Sequence, residues 1–210
     1  VVLSGYMAEE LAAAGLPRAE VLPPWVETSR GEPRAGEAFL LGGRLVSHKD
    51  PLTAWRGWRA AATGLPLRVA GAGPLEIEMA GVEGLGWLSA DRLRDELEGA
   101  RALLFLSRWQ EPLGILGVEA LARATPVVVT ATGGTADWSD RGCLVVPPGD
   151  VAAVAGAVRR LAQEPGLAQE LGRDGRRMVA ERFSRPPIET RLAALYSEVA
   201  GNHQGSRREV

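Results

Sequence analysis

Short apolar runs alternate with helical stretches through the middle of this chain, and that alternation restricts its fold more than any other feature. "AFLLGG" (38–43), "LRVAGAG" (67–73), "VEGLGWL" (82–88), "ALLFLS" (102–107), "PVVVTA" (126–131) and "CLVVP" (143–147) each read as a strand. A helix is predicted from an Asp50–Pro51 cap to about Thr63, another over "SADRLRDELEGA" (89–100) and a third near 114–124. Two more follow near 150–163 and 166–182. Strands this short, each followed by a helix, are joined by crossovers and therefore run parallel with both faces covered. The pattern is that of a doubly wound α/β sheet.

The two ends stand outside that unit. "VVLS" (1–4) and "GYMAEELAAAGL" (5–16) read as one strand and one helix, and "LPPWVETSRGEPRAGE" (22–37) reads as a linker. A single strand–helix unit cannot close a sheet, so the chain is expected to be the carboxy-terminal part of a two-domain protein. "RPPIETRLAALYSEVA" (185–200) reads as a separate amphipathic helix, with Leu192, Leu195, Tyr196 and Val199 on one face. The expected layout is a remnant plus linker over 1–35, the α/β domain over 36–183, the last helix over 184–200 and a flexible tail over 201–210.

Composition sets limits on partners and location. The formal net charge of −2 gives no general attraction to nucleic acid or to an anionic membrane. No apolar run reaches the roughly 18–20 residues needed to span a bilayer. The opening "VVLSGYMAEE" has no basic segment of the signal-peptide kind. A lone cysteine, Cys143, cannot form an internal disulfide, which points to a reducing, cytoplasmic setting. One cysteine and two histidines argue against a structural zinc site. Of 24 basic residues, 23 are arginine and only Lys49 is lysine. In so arginine-rich a chain, one retained lysine suggests a position that needs a compact ammonium.

In open α/β sheets, ligands bind beyond the carboxyl ends of the strands, and four clusters fall there. "GGRLVSHKD" places Gly43, Arg44 and Lys49 after the first strand, a guanidinium and an ammonium suited to a diphosphate. "AGAGPLE" carries Gly71 and Gly73 after the second; a dinucleotide fingerprint would need glycine where Glu76 stands, which counts against a nicotinamide dehydrogenase. "EPLGILGVE" begins a helix whose free N–H groups, around Gly114, Ile115 and Leu116, face the crevice. Glu111 lies at its mouth and Glu119 roughly 8–10 Å deeper. That separation exceeds the ~5–5.5 Å of a retaining glycosidase pair and suits two acceptors spread along an elongated ligand. "TATGGTADW" offers Gly133 and Gly134. Taken singly, the clusters read more simply as surface cations, a plain turn, solvated helix acids and a loop.

Together, and in this order, the clusters resemble the donor-binding domain of retaining GT-B glycosyltransferases of the group 1 family (family 4). The matching elements are "GRLVSHK", "GAGP", "EPLGILGVE" and "PVVVTATGGTAD", with "LVVPPGD" and "FSRPPIETRLAALY" as later landmarks. The resemblance spans about Leu3 to Val199. It implies a Rossmann-like sheet forming one half of a GT-B fold, closed by a C-terminal crossing helix. By the same resemblance, Arg44 and Lys49 hold the nucleotide diphosphate and stabilise the leaving group. Glu111 and Glu119 accept from hydroxyls of the donor sugar and the ribose respectively, and the amides at 114–116 support sugar and phosphate. The base is expected near 85–93. No metal and no cofactor beyond the nucleotide-sugar donor is expected, and no protein nucleophile.

Three positions depart from the family pattern: Leu113 for a common Phe, Thr125 for a frequent Gly and Asp137 for a usual Glu. Expected partners are the donor, an unidentified acceptor, an amino-terminal domain and, through exposed terminal helices, a second copy. The alternative function is a nucleotide-sugar-binding module without transferase activity. A nucleotide-sugar epimerase lacks catalytic carboxylates that can be placed.

Overall fold

The computed structural model of the chain describes residues 1–205, with side chains through Ala200. Its centre is a six-stranded sheet of β1 (Ala38–Gly42), β2 (Leu67–Ala70), β3 (Glu83–Gly86), β4 (Ala100–Phe105), β5 (Val127–Val129) and β6 (Cys143–Val145). The strands lie in the order β3-β2-β1-β4-β5-β6, and every pairing is parallel. Order reverses between β1 and β4, so the chain leaves these neighbours toward opposite sides and opens a crevice beyond their carboxyl ends. The sequence indicates the layered architecture; this adjacency is a result of the packing.

Seven α-helices are described: α1 (Gly5–Ala13), α2 (Pro51–Ala61), α3 (Ala90–Glu98), α4 (Ile115–Ala122), α5 (Val151–Gln163), α6 (Pro165–Arg182) and α7 (Arg185–Gly205). Strand alternation sorts the core into two layers. Phe39, Leu41, Ala102, Leu104 and Val128 face α2 and α5, meeting Ala54, Val154, Val158 and Leu161. Leu40, Leu103, Val127 and Val129 face the other way, onto Val118 and Leu121 of α4 and Met178 and Val179 of α6. A period of two within the central strands thus fills both sides of the sheet, as a doubly wound fold requires. No described helix is long and apolar enough to cross a membrane.

Several expectations change in detail. β2, β3, β5 and β6 are shorter than their apolar runs. "VVLS" forms only a single bridge, Val2 to Val21, and does not join the sheet. Asp50 stands at the N-cap of α2 but makes no cap hydrogen bond, whereas Asp150 does cap α5, accepting from Ala153 N at 2.9 Å. Thr125 is buried before β5 and its hydroxyl donates to Leu97 O, while the preceding Ala124 is left-handed (φ 58°). Asp137 is also placed: its Oδ2 accepts from Gly5 N at 2.6 Å, at the start of α1.

The terminal helix is longer than expected and only partly covered. Ile188 is buried and Leu192 and Leu195 are half-buried, while Tyr196 and Val199 are exposed. Its first turns are tied to the opening segment by Arg191 on Glu20 (2.7 Å) and Arg185 over the Trp25 ring. The tail expected over 201–210 is helical as far as Gly205, and residues 206–210 lie outside the described residues.

Candidate functional site

Two loops flank the crevice. The loop after β1 turns at Gly43 and passes Arg44 and the buried Leu45. It then tightens into a 3-10 turn, Ser47–Lys49, before α2. The loop after β4 runs from Ser107 to Gly114. They are stitched together by backbone: the His48 carbonyl accepts from Arg108 N at 2.9 Å and Trp109 N at 3.1 Å. Ser107 O in turn accepts from the Thr130 and Thr132 hydroxyls, at 2.6 and 3.0 Å, anchoring the second loop to the end of β5.

This stitching brings the Lys49 ammonium onto Oε1 of Glu111. The carboxylate side chain is only 7% exposed and the lysine 24%, so the pair is mostly withdrawn from water yet open on one side. A cleft of about 450 Å³ opens there, and Gly43, Arg44, Lys49, Glu111, Gly114, Ile115 and Leu116 all line it. Seven of the residues expected from the sequence therefore share one cavity. An ammonium has three donors, so Lys49 can keep Glu111 and still reach an anion. Arg44 is exposed and makes no ion pair among the described residues, leaving its guanidinium fork available.

The helix mouth is built for close approach. Gly114 is left-handed (φ 76°), and a Cβ there would meet Thr135 Cγ2 at 2.8 Å and the Phe105 ring at 3.0 Å. It turns the chain so that α4 starts at Ile115 with its first N–H groups at the cleft. The turn is held from beneath: Trp138, fully buried, donates its indole N–H to Leu113 O at 2.6 Å.

The remaining expected residues stand elsewhere. Glu119 is half-buried in a neighbouring recess of about 260 Å³ with Trp25, Glu27, Arg94 and Arg123; Ile115 borders both cavities. The recess carries an electrostatic cost. Burial is the main influence lowering the Arg123 pKa; Glu119's charge opposes it and Arg94 adds to it. Arg123 donates to Glu119 O at 3.1 Å, but its Nε is buried with no partner. Gly71 and Gly73 do not line the cleft. The space above them is taken by the backbone of Gly43 and Leu45, so they seat the first loop. Gly133 and Gly134 do the same for the second, lying against the backbone of Glu111 and Pro112.

Some lining residues carried no signal of their own in the sequence. Leu3 and Pro24 reach the cleft from the opening segment, and Phe105 reaches it as the last residue of β4. Trp87, 74% exposed on the rim, falls within 85–93, where the base is expected. Cys143 plays no part: burial pushes its thiol pKa up, as for an unreactive packed cysteine.

The sequence profile of the family "Glycosyl transferases group 1" matches residues 39–164, all of this sheet but the first residue of β1, and both loops. The chain belongs to the group 1 glycosyltransferases. Within the family, glycogen synthase of Mycobacterium tuberculosis is 30% identical over 208 residues, covering 89% of this chain and 50% of the relative. The chain therefore spans about half the length of that curated relative. Among solved structures, TarM of S. aureus in complex with UDP superposes with a TM-score of 0.82 at 16% identity, covering 93% of this chain and 43% of TarM. HepE of Anabaena, in complex with UDP and glucose, gives 0.81 at 15%, covering 94% and 62%. These likenesses show the fold: a Rossmann-like α/β domain of the GT-B glycosyltransferase type.

Proposed function

We propose that this chain is the donor-binding half of a retaining glycosyltransferase, acting on a nucleotide-diphosphate sugar. The observation that carries the reading is the convergence of Arg44, Lys49 and Glu111 in one cleft at the β1/β4 reversal. The UDP held by the structurally similar TarM and HepE supports it.

In this reading the diphosphate lies against Arg44, Lys49 and the N-terminus of α4, where cationic groups and free N–H donors favour the charge that grows on departure. Glu111 accepts from sugar hydroxyls. Glu119 accepts from the ribose in the adjoining recess, with Ile115 between them. The bond from the anomeric carbon to the β-phosphate oxygen breaks and its electron pair stays on the diphosphate. The acceptor oxygen bonds that carbon on the same face, and its proton passes to the leaving phosphate oxygen. The reading calls for no resident metal or cofactor. Acceptor recognition is assigned to an amino-terminal domain. The exposed Tyr196 and Val199 of α7 are assigned to contact with that domain or with a second copy.

Calorimetry with UDP, ADP and GDP tests the assignment. Lys49→Ala and Arg44→Ala are each expected to weaken the tightest of the three about tenfold or more. Unchanged affinity in both variants would remove the diphosphate from this cleft. The alternative reading is donor binding without transfer. Nucleotide binding without hydrolysis or transfer of the sugar would select it.

A further inference from the structure

Three consecutive residues after β1 are each tied to the loop after β4. The His48 carbonyl holds the Arg108 and Trp109 amides, Lys49 pairs with Glu111, and Asp50 Oδ2 accepts from Arg108 Nε at 2.7 Å. Of the two ion pairs, only Lys49–Glu111 lines the cleft. The second is not explained by the binding of a ligand, nor by helix capping, since Asp50 caps nothing.

Asp50 is nevertheless a costly residue. Its side chain is only 7% exposed, and its backbone is left-handed (φ 48°) without being glycine. A buried carboxylate needs a counter-ion, and a left-handed non-glycine residue carries local strain. The cation nearest in the chain is Lys49. An Asp50 lacking Arg108 would compete with Glu111 for that ammonium and draw it out of the cleft. The Arg108 guanidinium passes close to Gly149, where a Cβ would stand 3.0 Å from Nη2.

We propose that Asp50 and Arg108 form a positioning pair: Arg108 neutralises Asp50 so that Lys49 stays available to Glu111 and the donor diphosphate. The inference rests on the donor-site reading above and adds residues that do not touch the donor. It makes Arg108 dispensable once Asp50 is gone, which a merely stabilising surface ion pair is not required to be.

The test is calorimetry of UDP, ADP and GDP on the full chain, comparing wild type with Arg108→Met, Asp50→Gly, the double variant and Lys49→Ala. Arg108→Met is expected to weaken the tightest nucleotide about tenfold, and the double variant to return to within about twofold of wild type. Undiminished affinity in Arg108→Met overturns the inference, as does a double variant that stays as weak as Arg108→Met. Should Arg108→Met fail to fold, the double variant decides by the same criterion: near wild-type affinity supports the pair, and tenfold loss overturns it. Lys49→Ala separates the two levels. If it binds normally, the role of Lys49 in holding the diphosphate falls and this inference with it. If it binds weakly while Arg108→Met binds normally, only the positioning pair falls.

Discussion

The Lys49 ammonium meets the Glu111 carboxylate across 62 residues of sequence, at the one place where the strand order of the sheet reverses. Neither side chain is placed by its own local structure. Lys49 ends a 3-10 turn and Glu111 lies in a loop whose backbone bridges to Gly133. Their meeting depends on β1 and β4 being neighbours.

Because Glu111 is almost fully buried, its partner matters to stability as well as to binding. Lys49→Met strands the carboxylate and is expected to cost about 3 kcal/mol in urea denaturation. Adding Glu111→Gln should recover most of that loss. A Lys49→Met variant as stable as wild type would show that the pair is open to water.

Trp138 supports the second loop from the core. Trp138→Phe keeps most of the buried ring but leaves Leu113 O without its donor, an expected loss of about 1–2 kcal/mol. Gly117→Ala attacks the same contact from α4, since its Cβ would overlap the indole ring. Overpacking of that kind costs about 1–3 kcal/mol. Both are read as lowered denaturation midpoints.

Ala62 ends α2 in the left-handed conformation (φ 50°) and is exposed, so its methyl contributes no core packing. Ala62→Gly removes the strain at little cost and is expected to stabilise by about 1 kcal/mol. Thermal unfolding should shift upward by about 2–4 °C for a chain of this size.

The Arg182 guanidinium donates to both oxygens of Asp140, at 2.8 and 2.7 Å, and this holds the carboxylate pKa below its ordinary 3.8. A lowered folded-state pKa contributes stability above the unfolded value, and the contribution is lost as pH falls through the folded one. Arg182→Met should therefore be less stable than wild type at neutral pH, with the difference shrinking below about pH 4. The partners are half-exposed, so the effect is small and also fades with added salt. Equal differences at pH 7 and pH 3 would assign the arginine's contribution to packing alone.

The sequence by itself determined the layers of this protein and the chemistry available at one edge of the sheet. Buried strands and crossover helices are written in period and turn residues, which are local properties. Arg44, Lys49, Glu111 and Gly114 stand at strand-to-helix junctions that can be counted along the chain. Tertiary structure decided which junctions meet. Strand order and the packing of the loops join Lys49 to Glu111, place Glu119 in a neighbouring recess, and fill the room above Gly71 and Gly133 with backbone. It also turned Asp50 from the expected helix cap into the partner of Arg108. The physical reason is that hydrogen bonds and ion pairs act over a few ångströms in space, whereas the residues that form this site are separated by tens of positions in sequence.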